Sequence, residues 1–225
     1  MNHPFLRTAA FLCVAIFLLF AVGGCDWIGW AADPLTPTTT VQAAYKGLAN
    51  QKCAVMVWVD GRALTNYPLI QLDTAKGVVA KIKEAAAAQT KEVQNITWVE
   101  PEQVVQFQED HPELDMESAE AIAPMLGVTR LIYIEVDNFT LHPNDSPDLW
   151  RGDMSATLQV IEVANGRGKA VYTERGIDNI APSNCPVEGI PDLDEQQLYH
   201  DTIDGFTTEI VKRFIPYQAQ NDNDL

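Results

Sequence analysis

Residues 53–59 read Cys-Ala-Val-Met-Val-Trp-Val, the apolar run on which the rest of the fold depends. Both sets of alternating positions are apolar, and a strand with two apolar faces needs a covering layer on each side. The following Asp60-Gly61 is typical of the turn that ends such a strand. The run therefore predicts a central, doubly covered β-strand.

A helix and a second strand are predicted directly after this run. Asp73 is a candidate N-cap for a helix over residues 73–89, in which Val78 and Ile82 belong to one apolar stripe. Residues 95–99 form a short strand. Because strand, helix and strand follow one another, we expect a parallel βαβ unit with a right-handed crossover.

Two further helices are predicted before the second half of the sheet. Pro101 suits the first position of a helix over residues 101–110. Asp115 is a candidate cap for another helix, which ends at Leu126 with Gly127 in the C′ position.

The second half of the chain has the alternation of an antiparallel sheet. Arg130–Thr140 is the clearest strand, because apolar and polar residues alternate along it. Residues 153–163 repeat the pattern, and Asn165-Gly166 turns the chain into a third strand over residues 169–175. These strands predict a β-meander with one face toward the core and one toward water.

The last predicted element is an amphipathic helix. A long loop, residues 178–193, leads to Asp194, which with Gln197 resembles a capping box. The helix runs to about Phe214, and Pro216 stops it. Its apolar stripe comprises Tyr199, Ile203, Phe206, Ile210 and Phe214.

Together these elements predict one α+β domain over residues 41–216, followed by a polar tail, 217–225. The βαβ start and the meander share one mixed sheet, and the helices lie mainly on one face of it. The C-terminal amphipathic helix completes this two-layer α/β arrangement.

Upstream of the domain, residues 1–24 have the order of a secretory signal. Arg7 precedes fourteen apolar residues, 9–22, which is the length of a signal-peptide core and short of the roughly 20 residues that span a bilayer. The tetrad Val-Gly-Gly-Cys at 22–25 resembles the bacterial lipobox. That resemblance implies that the thiol of Cys25 receives lipid and that Cys25 begins the mature protein.

Two other interpretations of this segment stay open: an uncleaved membrane anchor and an ordinary signal. Residues 9–32 are long enough to span a bilayer if Asp26 is tolerated. In the lipoprotein interpretation Asp26 resembles the inner-membrane retention signal of Gram-negative lipoproteins, which favours a protein on the inner membrane that faces the periplasm. Residues 25–40 are the lipidated N-terminus and a Pro- and Thr-rich tether, which reaches on the order of 50 Å at most.

The chain is strongly acidic, with 15 Lys plus Arg, 31 Asp plus Glu and a net charge of −16. This excess opposes binding to nucleic-acid phosphates and attraction to anionic lipid headgroups. We therefore expect no nucleic-acid partner, and we expect attachment to membrane lipid through acylated Cys25.

Two cysteines remain in the predicted domain, Cys53 and Cys185. In an oxidising compartment two such cysteines often form a disulfide. The alternative is that both are unpaired and behave as small apolar residues. The sequence leaves both alternatives open, because it does not give the Cα separation that a disulfide requires.

The sequence contains no recognisable catalytic constellation. His111, His142 and His200 lie on different predicted elements, without a second ligand at the spacing of a zinc site. The Gly-Arg-Gly-Lys run at 166–169 lacks the spacing of a phosphate-binding loop and is typical of a turn. We expect no metal, no cofactor and no enzymatic activity.

Two surfaces are candidates for a partner contact. The turn-rich loop 142–150 carries Pro143, Pro147 and Trp150, and a proline-rich loop with an aromatic residue suits binding to a protein. Alternatively, Trp150 packs against the base of the hairpin. The second candidate is the open sheet face with Tyr133 and Glu135, although most such faces are simply solvated.

Several short motifs resemble one group of bacterial envelope proteins. Leu-Gly-Val at 126–128 precedes the strand Leu-Ile-Tyr-Ile-Glu-Val at 131–136, and a strand pair over 158–172 leads toward the closing helix. This pattern resembles the periplasmic lipoprotein domains related to the curli secretion lipoprotein, the lipoprotein activators of penicillin-binding proteins and the amino-terminal domain of the Tol translocation protein. The resemblance implies a non-enzymatic domain that binds protein partners in the envelope. The short tether and the short, polar segment 138–152 depart from the activators and from the channel-forming relative, so neither specific role carries over.

The leading hypothesis is a membrane-anchored lipoprotein that faces the periplasm and serves as a non-enzymatic, partner-binding subunit of an envelope assembly. One alternative is an envelope hydrolase or small-ligand-binding protein that uses the acidic loops. For the hydrolase we would expect a deep pocket with converging polar groups. Another alternative is an accessory lipoprotein of an inner-membrane transporter.

Overall fold

The computed structural model describes residues 38–143 and 146–220. The predicted signal, Cys25, Asp26 and most of the tether lie outside these residues. The strands are β1 (Thr38–Val41), β2 (Lys52–Trp58), β3 (Thr97–Trp98), β4 (Arg130–Thr140), β5 (Gly152–Ala164), β6 (Arg167–Ala181) and β7 (Tyr217–Gln220). The α-helices are α1 (Gly61–Asn66), α2 (Ile70–Ala87), α3 (Pro101–Asp110), α4 (Ala119–Ile122) and α5 (Glu195–Val211).

One mixed sheet carries most of the domain, in the order β3-β2-β4-β5-β6. β2 runs parallel to β3 and to β4, with Val55 opposite Ile132, whereas β4, β5 and β6 are antiparallel neighbours. The parallel βαβ start, the antiparallel meander and the α+β class are therefore confirmed. The chain needs long crossovers only where β2 meets its two parallel neighbours.

The larger core lies between one face of the sheet and the two longest helices, α2 and α5. Val55 and Val57 of β2 point into it, and Ile82 and Phe206 meet them from the helices, all 0–1% exposed. This face forms the main core because both helices carry an apolar stripe of matching length. Helices are thus found mainly on one face, as predicted.

The opposite face is covered over β2 and β4 by the shorter helices α3 and α4 and by a 3-10 turn, Pro112–Met116. Ala54 and Met56, the alternate positions of β2, are buried there, which confirms the doubly covered strand. Tyr133 is also buried on this face, with 9% of its surface exposed. Its interpretation as an exposed partner contact is wrong, because the helical cover extends over β4 at this position.

The ends of several helices differ from the sequence prediction. α2 begins at Ile70 rather than Asp73, and Asp60 caps the short α1 instead. The helix predicted from Asp115 is a 3-10 turn followed by the four-residue α4, and Gly127 beyond it has φ 62°. Pro124 falls where a longer helix would need a free backbone N–H, which limits α4 to one turn. For α5, the Asp194 carboxylate accepts a hydrogen bond from the Gln197 amide at 2.7 Å, as the capping box predicts.

The hairpin turn lies where predicted, but its strands are longer. Asn165 and Gly166 have φ 52° and 71°, the left-handed values of the favoured two-residue turn, and Ala164 faces Arg167. β6 continues to Ala181, into the predicted loop 178–193, because register shifts between Ala156 and Leu158 restore its pairing.

The chain termini of the described part also form regular structure. β1 and β7 form a two-stranded sheet, although residues 25–40 were predicted as a tether and 217–225 as a polar tail. Strand pairing uses backbone groups, so polar side chains do not prevent it. Residues Thr40–Tyr217 form one compact unit, and the outer ends of β1 and β7 belong to a second unit. Among the described residues, no helix has the length and apolar character needed to cross a membrane.

Cys53 and Cys185 are both free, so the alternative of a disulfide is wrong. Cys53 lies opposite Arg130 at the first residue of β4. Cys185 comes shortly after Ala181, which pairs with Gly152. The next residue, Asp153, pairs with Thr140 at the other end of β4. The eleven residues of β4 separate these two ends by roughly 35 Å, well beyond the reach of a disulfide.

Candidate functional site

The candidate site lies at the edge of the sheet that the carboxyl ends of the parallel strands β2 and β4 form. Ligands commonly bind at this edge of α/β sheets. Trp58 is opposite Glu135 at this edge. Directly after β2, the Asp60 carboxylate accepts hydrogen bonds from the backbone amides of Ala63 at 2.9 Å and Arg62 at 2.7 Å. These bonds lower the pKa of Asp60. They fix the start of α1 and thereby the course of residues 67–69 that follow it.

Three aromatic rings from separate elements meet at this edge. Tyr67 follows α1, Phe139 lies on β4 and Tyr199 on α5. The rings of Tyr67 and Tyr199 are stacked, with centroids 5.6 Å apart and planes at 16°. Phe139 lies edge-on to both, at 5.0 and 6.0 Å. Such offset and edge-on arrangements stabilise aromatic clusters beyond their buried area.

A hydrogen bond between two helices holds the tyrosine pair in place. The Tyr199 hydroxyl donates to Oδ2 of Asp73 at 2.8 Å, which joins α5 to the first turn of α2. Burial, the hydrogen bond to the Asp73 carboxylate and the charge of that carboxylate all raise the pKa of Tyr199. The phenol therefore stays protonated and remains a donor across the physiological pH range.

Beside these rings lies an open groove, with a volume of about 560 Å³. Its surface is mainly apolar and includes Pro68 and Leu69 in addition to the two tyrosines. The rest of the lining is polar: Asn66, Asp73, Asp194, Glu195, Gln196 and His200. We call this feature the Tyr67–Tyr199 groove.

A second cavity of about 490 Å³ shares Tyr67 and Asn66 with the Tyr67–Tyr199 groove. Its polar lining comes from the end of β4, the residue His142 just beyond it and the start of α1, and comprises Arg62, Asp137, Asn138, Thr140 and His142. Within residues 38–143 and 146–220, no cluster of three His, Cys, Asp or Glu side chains could hold a metal ion.

The two described ends of the loop 142–150, at His142–Pro143 and at Leu149–Trp150, pack against the domain. The rings of His142 and Trp150 are 4.2 Å apart, and Trp150 exchanges two backbone hydrogen bonds of 2.9 Å with Ile190. Pro143 is buried, whereas Pro147 is exposed and lines the second cavity. The structure thus favours the packing interpretation of Trp150, because its ring belongs to a small cluster around Leu141.

The remaining candidate residues do not gather at one place. Glu135 is half-buried at the carboxyl end of β4, while Tyr133 is under the helical cover, where burial raises its pKa to about 12. Cys53 is near the opposite end of the sheet, and burial raises its pKa to about 12 as well. Cys25 lies outside the described residues.

Sequence reasoning missed the Tyr67–Tyr199 groove. Tyr199 belongs to the predicted apolar stripe of the last helix, and no element is predicted for residues 66–72. The available signal was Tyr-Pro-Leu at 67–69, two large apolar residues around a proline in a turn between helices. Leu69 is 58% exposed and adds apolar surface to the groove.

Comparison with known proteins assigns this chain to no family. No family model matches the chain, and no curated protein matches it. Solved structures with a partly similar fold include two crystal forms of the PelC dodecamer from Paraburkholderia phytofirmans and the lipoprotein GNA1162 from Neisseria meningitidis.

The structural likeness is low in each case. A single-substitution variant of PelC has 8% identity and a TM-score of 0.37 over 80% of this chain and 98% of that one. PelC in the other form has 11% identity and a TM-score of 0.34, over 77% and 97%. GNA1162 has 10% identity and a TM-score of 0.33, over 72% and 92%. At these values the likeness carries no argument about function.

Proposed function

We propose that this chain is a membrane-anchored lipoprotein of the bacterial cell envelope whose α/β domain acts as a non-enzymatic, partner-binding accessory subunit. The observation that carries the proposal is the order of Arg7, the apolar run 9–22 and the Val-Gly-Gly-Cys tetrad at 22–25. This order is that of a lipoprotein signal, and the acidic domain that follows has the composition of an exported, folded passenger.

Acylation provides the membrane attachment that the protein surface does not. Each buried CH₂ of an acyl chain contributes about 0.8 kcal/mol, so two or three chains hold a protein firmly. The net charge of −16 repels anionic headgroups, and lipid at Cys25 must outweigh that repulsion. Asp26 directly after the cysteine favours the inner membrane as the location, with the domain in the periplasm.

A binding role for the domain is supported by the open, mainly apolar Tyr67–Tyr199 groove. Exposed apolar surface with a polar rim is typical of sites that contact another protein. The same volume suits a small ligand, since ligand pockets commonly measure roughly 300–1,000 Å³ and this groove has about 560 Å³. A small-ligand-binding protein is therefore the second candidate.

The lipoprotein assignment is tested by intact mass analysis of the native protein purified from membranes. We expect a chain that begins at Cys25 and carries the mass of two or three acyl chains. Cys25→Ser should leave the precursor unprocessed, whereas Cys13→Ser, within the removed segment, should have no effect on the mature mass. An intact Met1, or a mature chain without acyl mass, would contradict the assignment.

The partner-binding role is tested by photo-crosslinking from Leu69 in living cells, with Met116 as the matched position. Both side chains are exposed, at 58% and 94%, but only Leu69 lines the Tyr67–Tyr199 groove. We expect one discrete crosslinked protein from Leu69 and none from Met116. Recovery of only uncrosslinked monomer from both positions would count against a protein partner.

A further inference from the structure

We propose that the Tyr67–Tyr199 groove binds a Lys or Arg side chain that is flanked by apolar residues on an extended segment of the partner protein. This inference rests on the proposed function only in that the partner is a protein. It adds the chemistry of the segment that is recognised and the residues that recognise it.

The apolar surface of the groove suits a peptide rather than an isolated amine. Leu69 is 58% exposed and Pro68 is also exposed, and both extend the groove beyond the tyrosine rings. A small amine would occupy the ring surface and leave Leu69 uncovered. An extended segment with apolar residues next to its cation would cover both, and removal of this apolar area from water favours binding.

The tyrosine pair provides a surface for a cation. Tyr67 and Tyr199 are stacked and only half-buried, so ring surface of each remains accessible from the groove. Arg or Lys positioned over an aromatic face is attracted by the negative potential of that face, and Arg in addition stacks on it. The hydrogen bond from Tyr199 to Asp73 keeps the pair oriented before any ligand arrives, which lowers the entropic cost of binding.

The charge of the lining residues is negative. Asp73, Asp194 and Glu195 contribute three carboxylates, and among the described residues that line the groove none is Lys or Arg. The starts of α2 and α5 oppose this charge, but each helix end is equivalent to about half a positive charge. The two helix starts therefore offset about one of the three negative charges of the lining. Arg62 and Lys76 line adjoining cavities instead, and Lys76 is paired with Glu102 at 2.7 Å, so the lining of the groove stays negative and attracts a cation.

Glu195 is the carboxylate that is free to meet a ligand. Asp73 already accepts from Tyr199, and Asp194 accepts from the Gln197 amide. Glu195 is exposed in the first turn of α5, and it makes no ion pair among the described residues. Glu195 lines the same groove as Tyr67. Burial, and after it the charge of Glu195, raises the pKa of Tyr67.

The test measures binding of two labelled heptapeptides to the full-length, acylated protein in a non-ionic detergent. The first probe is Ser-Leu-Arg-Leu-Arg-Leu-Ser, and the second has glutamine at both arginine positions. The variants Glu195→Gln and Leu69→Ala remove the charge and the apolar contact. Glu113→Gln and Met116→Ala, exposed positions that do not line the groove, are the matched controls. Circular dichroism verifies that all four variants keep the native fold.

We expect the arginine peptide to bind more tightly than the glutamine peptide. Glu195→Gln should lower the affinity for the arginine peptide by about fivefold, because one partly exposed charge pair is lost. Its affinity for the glutamine peptide should be unchanged. Leu69→Ala should lower the affinity for both peptides by about threefold, and the two control variants should bind both peptides like wild type. Equal binding of both peptides would overturn the inference. An equal loss in Glu195→Gln and Glu113→Gln would also overturn it, because that would indicate attraction by the overall charge alone.

Intact mass analysis of the same preparation separates this inference from the proposed function. Acylated protein that fails to prefer the arginine peptide would refute the groove specificity and leave the lipoprotein assignment standing. Protein without acyl mass would refute the assignment whatever the peptides do.

Discussion

The carbonyl oxygen of Val57 accepts two side-chain hydrogen bonds at the open edge of β2. β3 pairs only with Lys52 and Cys53, so the edge beyond them lacks a strand neighbour among the described residues. The amide of Gln71 donates to this oxygen at 3.0 Å and that of Gln108 at 3.1 Å, from helices on opposite faces of the sheet. The two glutamines thus satisfy a backbone acceptor that would be costly to leave unpaired.

The two free thiols give a prediction for chemical labelling. Burial raises the pKa of Cys53 to about 12, so its reactive thiolate is scarce, whereas Cys185 is only half-buried. In native protein at pH 8 we expect iodoacetamide to label Cys185 first and Cys53 far more slowly. In denaturant both should react, and pretreatment with a reductant should add no further label, as counted by mass spectrometry.

Cys185→Ser provides the control for this experiment. It should remove the fast phase and keep the slow one. If labelling of either cysteine in denaturant requires a reductant, the separation of these residues in the structure is wrong.

At the scale of elements, a glycine sets how closely β6 approaches α4. A Cβ at Gly168 would lie 2.2 Å from the backbone oxygen of Glu120, a contact that only a backbone shift relieves. Gly168→Ala should therefore lower the free energy of unfolding by about 1–3 kcal/mol, as overpacking does. Urea unfolding of the full chain, followed by tryptophan fluorescence, measures the change.

Gly61→Ala is the matched substitution for this comparison. Gly61 begins α1, and a Cβ there would meet no atom of the described residues within 4 Å. The free energy of unfolding of Gly61→Ala should stay within about 0.5 kcal/mol of wild type, because the site has room for the methyl group. A Gly168→Ala protein as stable as Gly61→Ala would show that α4 does not pack tightly on β6.

An ion pair joins strand β6 to the segment that directly follows helix α5. Arg213 donates to Glu174 through Nη2 at 2.8 Å and Nε at 3.2 Å, and the Tyr172 hydroxyl also donates to this carboxylate. Burial alone would raise the pKa of Glu174, but the hydrogen bonds from Arg213 and Tyr172 outweigh it and lower the pKa below the ordinary 4.5.

This lowered pKa predicts a pH-dependent stability difference. The unfolded chain binds the proton more readily than the folded one, so the contribution of Glu174 is present above pH 4.5 and lost as the pH falls through the folded pKa. Glu174→Gln should cost about 1 kcal/mol at pH 7, since the pair is partly exposed, and progressively less below pH 4.5.

Unfolding in urea at several pH values measures this trend, with the exposed Glu113→Gln as the control. The control should follow the wild-type curve throughout. A Glu174→Gln penalty that persists unchanged at low pH would mean that the lost contribution is packing rather than charge.

At the scale of the molecule, stability rests on the core between the sheet and the α2–α5 layer. Phe206 is fully buried there, and Phe206→Ala should lower the free energy of unfolding by about 3–5 kcal/mol through loss of apolar contacts and formation of a cavity. Met116→Ala, at a side chain 94% exposed, should leave stability unchanged. Equal melting temperatures for the two variants would contradict the position of α5 on the sheet.

Most of the sheet was predictable because its pattern is local. The apolar run 53–59, the alternation in Arg130–Thr140 and the turn at Asn165-Gly166 each specify a strand or hairpin from neighbouring residues alone. The capping residue Asp194 likewise marks the start of α5, since a cap acts within three residues. The predicted lipid at Cys25 has the same local origin, because the lipobox is a contiguous signal.

The tertiary structure alone decided what distant residues do together. Tyr67, Phe139 and Tyr199 meet only because the fold brings a loop, the end of β4 and a helix together from distant parts of the sequence. The burial of Tyr133 and the separation of Cys53 from Cys185 also depend on how distant parts of the chain pack. A periodic pattern reports which face of an element is apolar, but the packing of the whole chain determines which other element covers that face.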